Sequence, residues 1–527
     1  MYENRPRYAG FLFHITSLPG PYGIGDLGGA ARAFADFLAD AGVGLWQILP
    51  LGPVGYGNSP YAVRSSFAGN ELLISPDLLA ADGLLEEAEV AELRNLPQKA
   101  EAGVNRVNFG LVETRKLSLL KKAARRYAQG AAGVAKAAKV ASVAGVGDSD
   151  FDTFCGREAY WLEDYAVFQV LCEDYHDARW HTVWDKEIAK RKKEALEKLR
   201  KEKADEILDW KVLQYFFERQ WQELKTYVNA RGIRLIGDIP IFAAADSADT
   251  WSRIDLFKTD DEGNFTFVSG VPPDYFSPTG QLWGNPVYDW DKMKAEGYAW
   301  WIDRIRRLIS QVDLFRIDHF RGFDAYWSVP AGNPTAEEGT WEKGPGADLF
   351  IALEKKLGKL PILAEDLGFL TESVVKLRED LNFPGMKVCQ FGFEDIENGV
   401  FDARHLFLPH NYSYHWAAYT GTHDNNTTAG WYSSLDKKDR RSVAAYLNCD
   451  EEAPPSDIAW AMIRAVASSH AEYAIYPLWD LLGLGEEARF NTPSTCNNVN
   501  WSWRLCEIPD KELAKRFAFM MSLFGRH

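Results

Sequence analysis

Acidic residues close several apolar runs in this chain. In Asp313-Leu-Phe-Arg-Ile-Asp-His-Phe-Arg-Gly322, a cation and an acid, Arg316 and Asp318, sit two residues apart among strand-forming side chains. Side chains alternate along a strand, so Leu314, Arg316, Asp318 and Phe320 are expected on one face and Phe315, Ile317 and His319 on the other. Burying such charges is costly unless they are paired or used. Further acids follow the same pattern: Asp238 in Arg234-Leu-Ile-Gly-Asp-Ile-Pro-Ile241, Glu365 in Pro361-Ile-Leu-Ala-Glu-Asp366, and Asp424, after His423, in Ala418-Tyr-Thr-Gly-Thr-His-Asp424.

One acid at a strand end is explained by a structural ion pair; four on separate units call for chemistry. Cleavage of a glycosidic bond needs a carboxylate and a carboxylic acid on either side of a cationic transition state. Arg316 would hold Asp318 ionised as a nucleophile. Crowding by Asp318 and Asp424 would raise Glu365 so that it carries a proton. Asp424 would stay ionised and support the developing positive charge or bind hydroxyls. His319 and His423 adjoin two of these acids and read as donors to sugar hydroxyls. A metal centre is the competing use of Asp, Glu and His, but no HExxH or comparable ligand spacing occurs, so no metal and no cofactor is expected.

These residues need a frame that gathers strand ends. Residues 10–15 and 44–50 read as strands around a helix at about 30–41, the βαβ signature of a parallel sheet. Alternation resumes at 234–241 and continues through strands at 313–320, 361–366, 386–393, 418–424 and 473–479. Helices are expected at 301–311, 347–358, 371–380, 437–448 and 456–468. About eight strands with helical connections make an α/β fold, a (β/α)8 TIM barrel whose C-terminal strand ends converge on one face. On this reading the barrel comprises residues 1–55 and 206–527, and 56–205 is a mainly helical insertion. Within it, 130–150 is poor in large apolar side chains and reads as a flexible tip. The charge run at 186–195 reads as a solvated helix face.

The chain has 59 Lys and Arg against 75 Asp and Glu, a net charge of −16, which argues against nucleic acid as partner. No window approaches a membrane span and no signal peptide precedes the first strand. Six cysteines without CxxC spacing suit a reducing compartment, so a cytoplasmic location is expected. Nineteen Trp and 22 Tyr, many of them in Gly/Pro/Asn-rich segments, suit a groove lined with flat faces for sugar rings.

The motifs resemble those of the 4-α-glucanotransferases of glycoside hydrolase family 77, the amylomaltases or disproportionating enzymes. The resemblance is carried by 313–322, Ala364-Glu-Asp-Leu-Gly368, Gly421-Thr-His-Asp-Asn-Asn-Thr427 and Leu18-Pro-Gly-Pro-Tyr-Gly-Ile-Gly-Asp-Leu-Gly28. Trp46-Gln-Ile-Leu-Pro-Leu-Gly-Pro53, Ser59-Pro-Tyr61, Gly270-Val-Pro-Pro-Asp-Tyr-Phe-Ser277 and Gly280-Gln-Leu-Trp-Gly-Asn-Pro286 extend it over roughly residues 10–505. It implies Asp318 as nucleophile, Glu365 as acid/base and Asp424 as transition-state stabiliser, with sugar contacts from Asp238, Arg316, His319, His423 and Asn491. It also implies a barrel with helical insertions and no separate C-terminal β-domain. Tyr275, Phe276 and Trp283 in the 271–288 loop are candidates to stack on acceptor sugars, with Asp274 and Gln281 beside them, and Tyr61 is a second candidate platform. Two departures stand out: Asn426 replaces the acidic residue usual in the family, and the segment 489–504 around Asn491 has an atypical middle. The implied partners are α-1,4-glucans (maltooligosaccharides, starch or glycogen) and glucose. An α-glucan hydrolase on the same barrel and a non-catalytic glucan-binding protein are the alternatives.

Overall fold

A computed structural model describes all residues except 1–4, 95–98, 102–103, 131–148, 274–276, 369, 395 and 397–399. Eight parallel strands lie in chain order around a barrel: β1 (Tyr8–Leu12), β2 (Leu45–Gln47), β3 (Arg234–Pro240), β4 (Leu314–Asp318), β5 (Ile362–Ala364), β6 (Gly385–Val388), β7 (Trp416–Tyr419) and β8 (Tyr473–Pro477). β8 pairs back onto β1 from Tyr8↔Tyr473 to Leu12↔Pro477, so the sheet curls on itself. Only β5 and β6 lack a ladder; the backbone bond from Ala364 N to Pro384 O, 2.8 Å, joins them.

The strands are short apolar runs because both faces are covered. Phe11, Leu45, Leu235, Phe315 and Ile475 are fully buried. The principal helices are α1 (Gly29–Asp40), α2 (Phe109–Ala128), α3 (Leu162–Tyr175), α4 (Ala204–Asn229), α5 (Ala299–Gln311), α6 (Ala347–Leu357), α7 (Glu372–Asp380), α8 (Thr428–Ser434), α9 (Pro455–Ser468) and α10 (Lys511–Leu523). α1 shows the rule by which they form: Ala31, Phe34, Ala35 and Leu38 recur at helical spacing and all are fully buried. Its end is set by Gly42, whose φ of +66° returns the chain toward β2 at little steric cost.

Between β2 and β3, α2 and α3 pack along α4, which then leads directly into β3. The tie to the barrel is polar as well as apolar. Gln214 of α4 accepts from Gly69 N and donates to Gly69 O, both at 2.8 Å, anchoring the loop that carries Tyr61. The flexible tip expected at 130–150 falls mostly on 131–148, outside the described residues. The charge run at 186–195 falls on two separate helices, Lys186–Ala189 and Lys193–Glu202, that precede α4.

Three features go beyond the sequence reading. A four-stranded antiparallel sheet is built from the connections after β3 and β4, in the order Thr340–Lys343, Ala325–Pro330, Phe267–Val271, Gln281–Pro286. Its strands are brief, and three of the four contain Gly or Pro, so they read as loop in isolation. A second small sheet joins Trp503–Arg504 to Val104–Arg106, linking the far end of the chain to the region between β2 and β3. The last element, α10, packs on α1 and returns the chain to β1, where Ala9 N donates to His527 O at 2.8 Å. No separate β-domain follows the barrel among the described residues. The expected strand at 313–320 stops at Asp318: His319 takes a left-handed φ of 52° and Phe320–Phe323 is a 3-10 turn, so Phe320 does not continue the Arg316 face.

Candidate active site

Arg316 is the hub. It points inward from β4, almost fully buried, and donates through Nε to Asp238 Oδ2 at 2.8 Å and through Nη2 to Asp318 Oδ1 at 2.9 Å. The same Nη2 reaches the Tyr61 hydroxyl at 3.0 Å, and Tyr61 in turn donates to Asp238 Oδ2 at 2.8 Å. β3 and β4 pair with Asp238 opposite Arg316, so sheet register itself creates the contact. One guanidinium thus serves two carboxylates and a phenol, the fork geometry that a lysine lacks.

Two carboxyl groups at adjacent strand ends meet different fates. Asp318 has Arg316 as direct partner and keeps about a third of its side chain open, 32%. Burial raises it from the ordinary Asp range, Arg316 pulls it down, and Asp424 adds to the rise. Glu365 has no cation against it. Its Oε2 accepts from His319 N at 2.7 Å and its Oε1 from Leu367 N at 2.8 Å. Burial, with Asp318 second, pushes Glu365 up to about 7, while Arg316 and the two N–H bonds oppose the rise. The expectation of a raised Glu365 therefore holds for a different first reason: desolvation outweighs crowding by Asp318. Asp238 is likewise lifted by burial, to about 7, against Arg316 and Tyr61.

The strand-end rule locates these acids loosely. β5 ends at Ala364, one residue before Glu365, and β7 ends at Tyr419, five before Asp424. The Thr420–Thr428 connection is held by Asp480, which accepts from Thr420 Oγ1 (2.6 Å), Thr428 N (2.7 Å) and Thr428 Oγ1 (2.7 Å). On it, Asp424 Oδ2 lies 3.4 Å from His423 Nε2, and Asp424 Oδ1 accepts from Asn491 Nδ2 at 2.6 Å. Arg489 donates to Asp424 O at 3.2 Å and to Asn491 O at 2.9 Å. Asn491, drawn from the atypical 489–504 segment, sits on the site after all. The buried Oδ1 of Asn426 has no hydrogen-bond partner in the structure, and its backbone carbonyl accepts from Gln390 Nε2 at 3.1 Å.

Tyr61 occupies the site differently from a free stacking platform. Its ring stacks on His423 at 5.2 Å between centroids, and Trp501 leans against both rings at 5.8 Å. His423 is buried and driven down to about 4, so it is neutral at pH 7. His319 is driven down to about 3 by burial, and Trp283 stands edge-on to it at 4.8 Å and 85°. Trp283 is 38% exposed, and its indole N–H donates to Gln281 Oε1 at 3.3 Å. Asp274, Tyr275 and Phe276 lie outside the described residues.

Sequence reasoning missed His14, Trp501 and Arg489. His14 follows β1, accepts from Leu49 N at its Nδ1 (3.3 Å) and is driven down to about 3 by burial. The rule that found Asp238, a polar residue at a barrel strand end, would have found it as well. Trp501 stands at φ 65°, an unfavourable conformation for so large a residue that is held by its packing on Tyr61, His423 and Phe490.

One acid paired with a guanidinium, one bonded only to backbone N–H groups and a third held by an amide form a set suited to glycoside chemistry. A family model described as 4-alpha-glucanotransferase matches residues 13–509. The chain belongs to the 4-alpha-glucanotransferase family. The family's enzyme from Synechocystis sp. is 46% identical over 527 residues, covering 99% of this chain and 98% of its own. That of Thermus thermophilus is 44% identical over 510 residues, covering 95% of each. Among solved structures, the amylomaltase from Streptococcus agalactiae in complex with acarbose superposes with a TM-score of 0.88 at 35% identity, covering 99% of each chain. The (β/α)8 barrel with large helical insertions is thus the architecture of this chain as well. No helix among the described residues is long and apolar enough to cross a membrane.

Proposed function

We propose that this family member moves α-1,4-glucan segments from a donor glucan to the 4-hydroxyl of an acceptor glucan or of glucose, by a retaining double displacement. Asp318 attacks the anomeric carbon while Glu365 gives its proton to the departing 4-oxygen, leaving a glycosyl-enzyme ester. The acceptor's 4-hydroxyl then attacks that carbon, its proton passes to Glu365, and Asp318 leaves as carboxylate. Asp424, oriented by Asn491, faces the positive charge that develops in both steps. Asp238, Arg316, His319, His423 and Asn491 supply polar contacts to the sugar, and Trp283 with Gln281 lines the approach of the acceptor.

The observation that carries this reading is the division between Asp318, bonded to Arg316 at 2.9 Å, and Glu365, bonded only to backbone N–H groups and raised to about 7. Arg316 favours the ionised form of Asp318, as a nucleophile requires, and Glu365 has no such ion-pair partner, as suits a proton donor. A cytoplasmic location belongs to the same reading, supported by six cysteines that are all free thiols. Incubation with maltotriose tests the activity: transfer yields glucose together with a ladder of longer chains. Rising reducing ends with no product longer than maltotriose would show a hydrolase instead.

A further inference from the structure

The barrel has one weak seam, and the general acid stands beside it. Seven of the eight strand junctions carry ladders of three to five residue pairs, from β1/β2 with three to β3/β4 with five. β5 and β6 carry none. Besides the bond from Ala364 N to Pro384 O, the seam is closed by a side chain: Asp366 Oδ1 accepts from Met386 N, in β6, at 2.8 Å. Asp366 follows Glu365 directly, so the two carboxyls grip opposite neighbours. Glu365 turns to β4, and Asp366 turns to β6.

The surroundings of Asp366 are built for this contact. Its side chain is buried, and Oδ2 lies 2.9 Å from Nε of the buried Arg378 on α7. Arg378 is itself fixed by a bond to Phe383 O at 3.1 Å and by stacking over Trp416 at 4.5 Å. Residue 385 must be glycine here, because a Cβ would fall 2.6 Å from Asp366 Oδ2 and 2.4 Å from the Trp416 ring. The reaction as proposed uses none of these groups.

We propose that Asp366 is a positioning residue for Glu365: its bond to Met386 N fixes the strand end from which the Glu365 carboxyl reaches His319 N and Leu367 N, and so aims the proton at the leaving oxygen. The inference rests on Glu365 being the proton donor. Misplacement of a catalytic group by about 1 Å costs on the order of 100-fold.

The test compares two donors in the first turnover, maltotriose, whose leaving group needs a proton, and α-maltosyl fluoride, whose fluoride leaves with little help. Asp366→Ala is expected to slow glycosylation by maltotriose about 10- to 100-fold while fluoride release changes less than about threefold. Asp366→Asn, which keeps an oxygen acceptor for Met386 N, should restore the maltotriose rate to within about fivefold of the parent. If Asp366→Ala does not fold, the double variant Asp366→Leu/Arg378→Met removes the pair without stranding a buried guanidinium, and the same two rates decide. Equal loss on both donors, no loss on either, or no recovery with Asn overturns the proposal. Glu365→Gln is measured alongside: if it fails to spare fluoride release, the role given to Glu365 is wrong, whatever Asp366 does.

Discussion

Asp318 and Glu365 are both acids at the ends of neighbouring strands, both desolvated, yet their partners differ in kind. Asp318 faces the guanidinium of Arg316; Glu365 faces two peptide N–H groups. A full positive charge opposes the cost of ionising in a low-dielectric site far better than two dipoles do. The contrast teaches that proximity of acids does not assign their roles. Burial and the bonding partner together do, and the partner of Asp318 is a guanidinium two residues back on its own strand, held by the register that sets Arg316 beside Asp238.

The largest break in this comparison is Asp318→Asn. Turnover of maltotriose should fall by about 10⁴-fold or more while glucan affinity, measured by calorimetry, largely survives. Glu365→Gln should lower kcat for maltotriose by about 10²- to 10⁴-fold. In the parent, kcat/KM for the donor should decline as pH rises through about 7, because the proton that Glu365 must donate is lost there. The variant's pH profile should lack that alkaline limb. Arg316→Met is predicted to cost about 100-fold and to shift both limbs upward in pH, since Arg316 pulls Asp318 down by direct contact and Glu365 from farther away. An unmoved profile would refute its place at the hub.

Smaller effects sharpen the picture around the third acid and the rim. Asn491→Ala removes the 2.6 Å bond to Asp424 together with a sugar contact and should lower kcat/KM about tenfold. Trp283→Ala should raise the KM for glucose as acceptor by about two- to tenfold and enlarge the share of hydrolysis. Product analysis by chromatography reads both.

The barrel was legible because its strands are near-continuous apolar runs separated by helices of regular period, as a parallel sheet covered on both sides demands. The antiparallel sheet that bears Trp283 was not, since its strands are short, Gly- and Pro-containing and held by partners far off in sequence. Asp318 and Asp238 were legible as charges inside apolar runs. Asn491, Arg489 and Trp501 were harder to read, because a polar loop has no period to betray which of its residues turn inward. Asn491 came instead from the family resemblance.

By itself, the amino-acid sequence determined the fold class and the family and singled out the acids proposed for the chemistry, because local hydrophobic period and long motifs survive without knowledge of distant contacts. Only the tertiary structure decided why the Glu365 carboxyl is raised, that Tyr61 is locked between Asp238 and His423, and that Asn491 reaches Asp424 across 67 residues of chain. Each of these depends on burial and on partners from other strands. Desolvation and register are properties of the assembled barrel, absent from any single stretch of the chain.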